Sequence, residues 1–393
     1  MQFTSITRRV ANLGSKKWLP HLRAKKMAET DPNVILLTIG QPDIPTSSAL
    51  IDIAEKSLRE GRTGYSNGRG EPNLLSALAK KYSADCNFEI LDENILCFPG
   101  TQTALFVSIM GLIEEGDDVL VGDPLYATYE GVIASAGGTI KRVKLKKDNG
   151  FRIQANELEK SVTKESKVLL LNNPHNPSGA VLSKQEIEDI VSVCRNHGLW
   201  IISDEVYSSL IFNKNSSNKF FSPLYIQEAF EKTIVVSSIS KSHAAPGFRS
   251  GWVVGPKNFC DSILPLSESM LFGNQPFIAD MTAFALNNEH KTSEIMSADY
   301  YRRALKLYEA LRKSNDVEPI MPESGMFMLA DISKTGMNSE TFVSKLLDAE
   351  KIALMPGSSF GKEADSLIRI SLTVPDHDID TACNRILKFI SNY

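Results

Sequence analysis

Four short apolar runs, Asp118–Val121, Val168–Leu171, Leu199–Ile202 and Thr233–Ser237, recur between helical patterns across residues 90–255. Runs of this length, rich in valine, leucine and isoleucine, suit strands buried on both faces. Strands separated by helix-length connections pair in parallel, so the alternation predicts a mostly parallel sheet covered by helices. That architecture also says where chemistry belongs, because ligands of open α/β sheets bind beyond the carboxyl ends of the strands.

The segments after these runs carry unusual side chains. Ser238-Ile239-Ser240-Lys241 continues through His243 to Pro246-Gly247-Phe248-Arg249. It sets a lysine three residues after a hydroxyl and eight before a guanidinium. Most lysines are solvated surface charges; a lysine among anion donors can instead form a Schiff base with a phosphorylated cofactor, for which pyridoxal phosphate is the natural candidate. Ile201-Ile202-Ser203-Asp204-Glu205-Val206-Tyr207 ends a strand in acids. A carboxylate there can pair with a pyridinium nitrogen, or simply cap the next element. Asn172-Asn173-Pro174-His175-Asn176-Pro177-Ser178-Gly179 is a rigid loop whose amides can donate to a ring oxygen, or an ordinary turn. Phe98-Pro99-Gly100-Thr101-Gln102 enters a helix expected to run to about Glu115, with free N–H groups that suit a phosphate and with Thr101 as a compatible N-cap. Tyr126, after Asp123-Pro124-Leu125, can stack on a flat ring or be half-buried. Arg369, inside the apolar run Leu367–Ser371, needs an anionic partner if buried: a substrate carboxylate or a structural ion pair.

Together, and in this order, the segments resemble the class I/II aminotransferases of PLP fold type I, the aspartate aminotransferase-like superfamily, over nearly the whole chain. The resemblance implies an α/β fold: a large domain with a mostly parallel seven-stranded sheet sandwiched by helices, plus a smaller α+β domain. It implies an N-terminal arm over 1–45 packing with the small domain, a large domain over 46–285 and a small domain over 286–393. It implies Lys241 as the Schiff-base lysine, Asp204 as the pyridinium partner, and Asn176 and Tyr207 on the ring hydroxyl under a stacked Tyr126. Ser238, Arg249 and the Gly100-Thr101-Gln102 turn would bind the phosphate. Arg369 would hold the substrate α-carboxylate, with the Gly40 backbone beside it. Tyr65, in Gly64-Tyr65-Ser66-Asn67, is similar to a tyrosine that reaches a phosphate across a homodimer interface. Ser178 stands where many members have threonine, and Tyr126 where some have tryptophan or phenylalanine. Ser240-Lys241-Ser242-His243 and Trp252-Val253-Val254-Gly255-Pro256 are closest in look to arginine–pyruvate aminotransferase-like members.

The resemblance implies ping-pong transamination between an amino acid and a 2-oxo acid, with pyruvate or 2-oxoglutarate as acceptor. Dicarboxylate-specific relatives present an extra cation to the substrate side chain. Residues 267–274 contain no Arg or Lys, and Gln102 stands where some relatives carry lysine. Both weaken an acidic donor and favour arginine or another non-acidic amino acid. Glu268 can meet a basic side chain or be a solvated helix charge, and Trp18 can line the pocket mouth or anchor the arm. An aspartate aminotransferase, a PLP-dependent carbon–sulfur lyase and a PLP-binding regulator are the alternatives; a regulator would carry a DNA-binding module, which nothing here fits.

Composition narrows the field. With 43 basic and 47 acidic residues the chain is mildly acidic, which argues against a nucleic-acid partner. No apolar run reaches membrane-spanning length. Cys86, Cys97, Cys194, Cys260 and Cys383 form no C-x-x-C pair and read as reduced thiols of a cytoplasmic protein. Residues 1–28 carry seven cations and no acid, a transit-peptide-like composition, but the family-like arm begins almost at Met1 and leaves no room for a removable leader. Gly357-Ser358-Ser359-Phe360-Gly361 matches G-x-S-x-G, yet only a short charged piece separates it from the next strand, so a strand-to-helix elbow is not expected. Gly68-Arg69-Gly70 lacks the strand and third glycine of a dinucleotide loop. The histidines show no metal-ligand spacing, and no metal is expected.

Overall fold

The computed structural model describes residues 3–11, 13, 16–212, 219–271, 273–288 and 291–392. A short strand β1 (Ile35–Leu36) ends the N-terminal segment. The large sheet is built from β2 (Ile95–Phe98), β3 (Asp118–Asp123), β4 (Thr139–Lys144), β5 (Ser166–Asn172), β6 (Trp200–Asp204), β7 (Thr233–Ser238) and β8 (Gly251–Val254). Its order is β2-β8-β7-β6-β5-β3-β4, with β8 antiparallel to both neighbours and the other pairs parallel. The four runs expected from the sequence are β3, β5, β6 and β7, the centre of this sheet.

Both faces of the sheet are covered, and the period of two along each strand divides the cores. Val119 and Val121, Val168 and Leu170, Ile202, and Ile234 and Val236 pack on one side with the helix Thr101–Leu112. Leu120, Leu169, Leu171 and Ile201 pack on the other with the helix Lys184–Asn196. That helix starts at a capping box in which Ser183 and Glu186 satisfy each other's backbone N–H. Strand β4 lies at the sheet edge, and its charged Lys141, Arg142 and Lys144 leave only Val143 fully buried.

The C-terminal region forms a second sheet, β12-β13-β10-β9, from β9 (Glu318–Ile320), β10 (Phe327–Asp331), β12 (Met355–Pro356) and β13 (Leu367–Ser371), all antiparallel. The strand β11 (Ile352–Ala353) pairs in parallel with β1, which ties the N-terminal segment to this region. Helices Lys291–Leu311, Ser339–Glu350 and Asp376–Ser391 share its core with Ile35 and Leu37.

Two helix bounds differ from expectation. The helix beginning at Thr101 ends at Leu112, because Glu114 to Asp117 must turn into β3 and the Glu114 N–H is taken by Asp117 Oδ2 at 3.1 Å. Residues 276–310 read from the sequence as one long helix, and the structure has Pro276–Asn288 and Lys291–Leu311, with residues 289 and 290 outside the described residues. Among the described residues no helix is long and apolar enough to cross a membrane.

Candidate active site

The large sheet delivers its chemistry at the carboxyl ends of its central strands. Tyr126 follows β3, Asn176 follows β5, Asp204 ends β6, and Ser238 and Lys241 sit at the end of β7. These residues line one cavity of about 230 Å³ together with Tyr207, Gly40, Thr101, Gln102, Arg249 and Arg369.

Lys241 lies in the short helix Ile239–Ser242, which Ser238 starts by accepting the Ser240 N–H on its hydroxyl. The lysine Nζ donates to the Gly40 carbonyl at 2.6 Å. Burial, then the nearby Arg249 and Arg369 charges, push this amine down to about 8, and Asp204 opposes them. Asp204 is 5% exposed. Its carboxyl group accepts the Tyr129 hydroxyl at 2.8 Å and the Val206 N–H at 3.3 Å. Burial pushes it up to about 6. The Asn176 side chain is hydrogen-bonded to the Tyr207 hydroxyl, whose own acidity burial suppresses.

At the other end, Gly100 immediately precedes the helix Thr101–Leu112 with φ +86. A Cβ there would stand 2.4 Å from Arg249 Nη2, so only glycine lets the guanidinium approach this helix N-terminus. Arg249 donates to the Pro246 and Pro99 carbonyls. The Thr101 hydroxyl is buried without a partner. A guanidinium, two hydroxyls and a helix N-terminus thus face the same space, a donor set suited to an anion.

Arg369 is 1% exposed, on β13. It donates to Asn176 Oδ1 at 3.1 Å and to the Thr38 carbonyl at 2.6 Å, while its Nε has no partner. Its guanidinium lies 3.8 Å from the Phe327 ring centre and 4.3 Å from that of Phe360. Arg303 makes the contrast: also buried, it pairs with Asp43 at 2.9 Å and Asp376 at 2.8 Å. Among the described residues Arg369 has no carboxylate, so its charge is buried without an ionic partner.

The comparisons with known proteins agree. The family model for aminotransferase class I and II matches residues 32–386. The chain belongs to the class I and II aminotransferases. It is 35% identical to the arginine–pyruvate transaminase AruH of Pseudomonas aeruginosa over 98% of this chain and 97% of that one. It is 30% identical to an aspartate aminotransferase of Musicola paradisiaca over 99% and 97%. A Thermus thermophilus aspartate aminotransferase single mutant superposes with a TM-score of 0.91 at 26% identity, over 99% of this chain and all of that one.

As a class I/II aminotransferase the protein is a transaminase that uses pyridoxal phosphate. The cavity fits that group: an amine of lowered basicity, a buried carboxyl group opposite, and an orphaned Thr101 hydroxyl among anion donors. Tyr65 lies elsewhere; in the single chain it is 93% exposed and does not line the cavity. Glu268 is exposed and stands against Gly68, also outside the cavity. Trp18 does line it. The G-x-S-x-G loop forms 3-10 turns, with the Ser359 hydroxyl donating to the Lys17 carbonyl. Three aromatic residues of the site escaped sequence reasoning. Phe327 and Phe360 were invisible because their roles depend on Arg369, and Tyr129 had only its spacing of three from Tyr126 as a signal.

Proposed function

We propose that this transaminase takes its amino group from an L-α-amino acid without an acidic side chain, arginine foremost, and passes it to pyruvate or 2-oxoglutarate in a ping-pong cycle. The observation that carries the reading is Arg369, a buried guanidinium whose Nε is open and which faces the same cavity as Lys241. It would hold the α-carboxylate and so present Cα to the amine of Lys241. The other cations of the cavity, among the described residues, are Lys241 and Arg249. Within one chain each has a duty, at Cα and at the phosphate, so a second carboxylate finds no spare charge among the described residues that line the cavity. Gln102 is neutral, and its Oε1 accepts the Thr128 hydroxyl at 3.2 Å. The printed activity of the Pseudomonas relative points the same way.

Bound pyridoxal phosphate supplies the electron sink that makes the Cα proton acidic. The chain supplies the rest. Lys241 would accept the proton leaving Cα and deliver it to the former aldehyde carbon of the cofactor, as base and then acid, a task its lowered basicity suits. Asp204 would face the ring nitrogen. Asn176 and Tyr207 would hold the ring hydroxyl, Tyr126 would cover the ring, and Gly40 would lie beside the substrate. Gly100, Thr101, Gln102, Ser238 and Arg249 would hold the phosphate. Tyr65, exposed here, completes that site in a homodimer by reaching the partner's phosphate, and the enzyme works in the cytoplasm.

The test is a half-reaction. Cofactor-loaded protein is mixed with single amino acids, without an oxo acid, and the cofactor absorbance is followed. Rapid conversion by arginine and slow conversion by aspartate are expected. The reverse preference would replace this reading with an aspartate aminotransferase, which the Musicola relative represents.

A further inference from the structure

Tyr129 opens the helix Tyr129–Ala136, three residues beyond Tyr126. Its side chain is 1% exposed. The Tyr126 and Tyr129 rings meet edge to face, with centroids 5.5 Å apart and planes at 90°. The Tyr129 N–H donates to the Tyr126 carbonyl at 3.0 Å. The Tyr129 hydroxyl donates to Asp204 Oδ2 at 2.8 Å. Among the described residues it is the one side chain that donates to Asp204; the other carboxyl oxygen takes the Val206 N–H at 3.3 Å.

A carboxyl group moved out of water without donors takes up a proton. The groups around Asp204 share the work of preventing this unequally. Lys241, from the β7 side, favours the carboxylate by charge alone. Glu205, next in the chain, accepts the Ser203 and Ser222 hydroxyls and is pushed up to about 8 by burial. Tyr126 and Tyr207 have their own acidity suppressed by burial and remain uncharged. The direct, directional donor is Tyr129.

We propose that Tyr129 is a positioning residue for transamination: its hydroxyl orients the Asp204 carboxyl group and keeps it ionised, so that the ring nitrogen of the cofactor retains its proton. The inference rests on the reading of Asp204 as the partner of that nitrogen. It adds a residue whose side chain acts through another.

The test compares Tyr129→Phe, Asp204→Asn and the double variant. Three quantities are read: the pH titration of the bound cofactor's absorbance, the dissociation constant of pyridoxal phosphate from the apoenzyme, and kcat separately from KM. A ring that loses its nitrogen proton withdraws less from the bond to Lys241, which makes that nitrogen more basic. Tyr129→Phe should therefore move the absorbance titration to higher pH. It should weaken cofactor binding and kcat by roughly tenfold, the size of one hydrogen bond to a charged group. KM should change by less than about twofold, because the Arg369 clamp is untouched. In the Asp204→Asn background the same substitution should have no further effect on the titration. Fluorotyrosine at position 129 keeps the ring, strengthens the donor and should move the titration the other way. An unmoved titration in Tyr129→Phe, or an equal movement with and without Asp204, overturns the role of Tyr129 while leaving Asp204 in place. A wild-type titration in Asp204→Asn overturns the underlying reading instead.

Discussion

Replacing Arg369 with methionine should separate stability from activity in a way that a structural arginine could not. Burial pushes the guanidinium down to about 10, which corresponds to about 3 kcal/mol of desolvation cost carried by the folded protein. Offsetting it are two hydrogen bonds, to Asn176 and Thr38, at about 1 kcal/mol each. Packing between Phe327 and Phe360 adds about 1 kcal/mol more. Methionine is unbranched and fills the same slot. The apoenzyme should therefore change in stability by less than about 2 kcal/mol, read from urea unfolding. Activity should respond far more, because losing one partner of a buried charged pair costs about 2–5 kcal/mol, or roughly thirty- to several-thousand-fold in kcat/KM. Arg303→Met is the internal control. It leaves Asp43 without its pair and should cost about 3 kcal/mol of stability. An Arg369→Met protein that loses as much stability as Arg303→Met, with KM for the amino acid unchanged, would refute the substrate clamp and make Arg369 a structural residue.

Three further outcomes are expected. Lys241→Ala should abolish turnover while the protein still binds the cofactor without a covalent bond, as read by the absence of cofactor fixed to the protein after borohydride reduction; substantial retained transamination would remove Lys241 from the reaction. His175 is pushed down to about 4 by burial, so the folded state refuses a proton that the unfolded state accepts below pH 6.5. Its contribution to stability is full above that pH and lost as the pH falls toward 4. Urea unfolding should show wild type losing at most about 3 kcal/mol more than His175→Gln over this window, and parallel curves would mean that His175 is not held neutral. Gly40→Ala would set a Cβ 2.4 Å from Phe327 Cζ. Displacing the ring that packs on Arg369 should raise KM for the amino acid roughly tenfold, the scale of an overpacked contact, and an unchanged KM would show that Phe327 has room to move.

How much of this was legible in the chain depends on the kind of information each part uses. The central strands were legible because burial on both faces writes itself as an unbroken apolar run, and Asn176, Asp204 and Lys241 because they sit just past those runs. Strand β4 was not, since at the sheet edge Lys141, Arg142 and Lys144 reach water and break the pattern. The candidate phosphate site was legible in outline, but the need for glycine at position 100 came only from the approach of Arg249. Arg369 could be read as a buried cation needing an anion; whether that anion was internal could be decided only by seeing its neighbours. Tyr129 offered two unremarkable facts, a tyrosine and a spacing of three, and acquired meaning from a residue 75 positions away. Tyr65 is legible only through resemblance, because within one chain it is exposed and does not line the cavity.

The hydrogen bonds from Lys241 to Gly40 and from Arg369 to Thr38 span 201 and 331 residues. Both acceptors lie within the first 40 residues, and one donor lies near the end of the chain. During synthesis, residues 38–40 therefore emerge long before either donor exists, and must wait, exposed, while the large sheet assembles. Such long closures are slow steps of folding. However complete its central sheet, a nascent chain gains Arg369, and with it the bond to Thr38 that brings the two ends of the chain together at the cavity, only after β13 has left the ribosome.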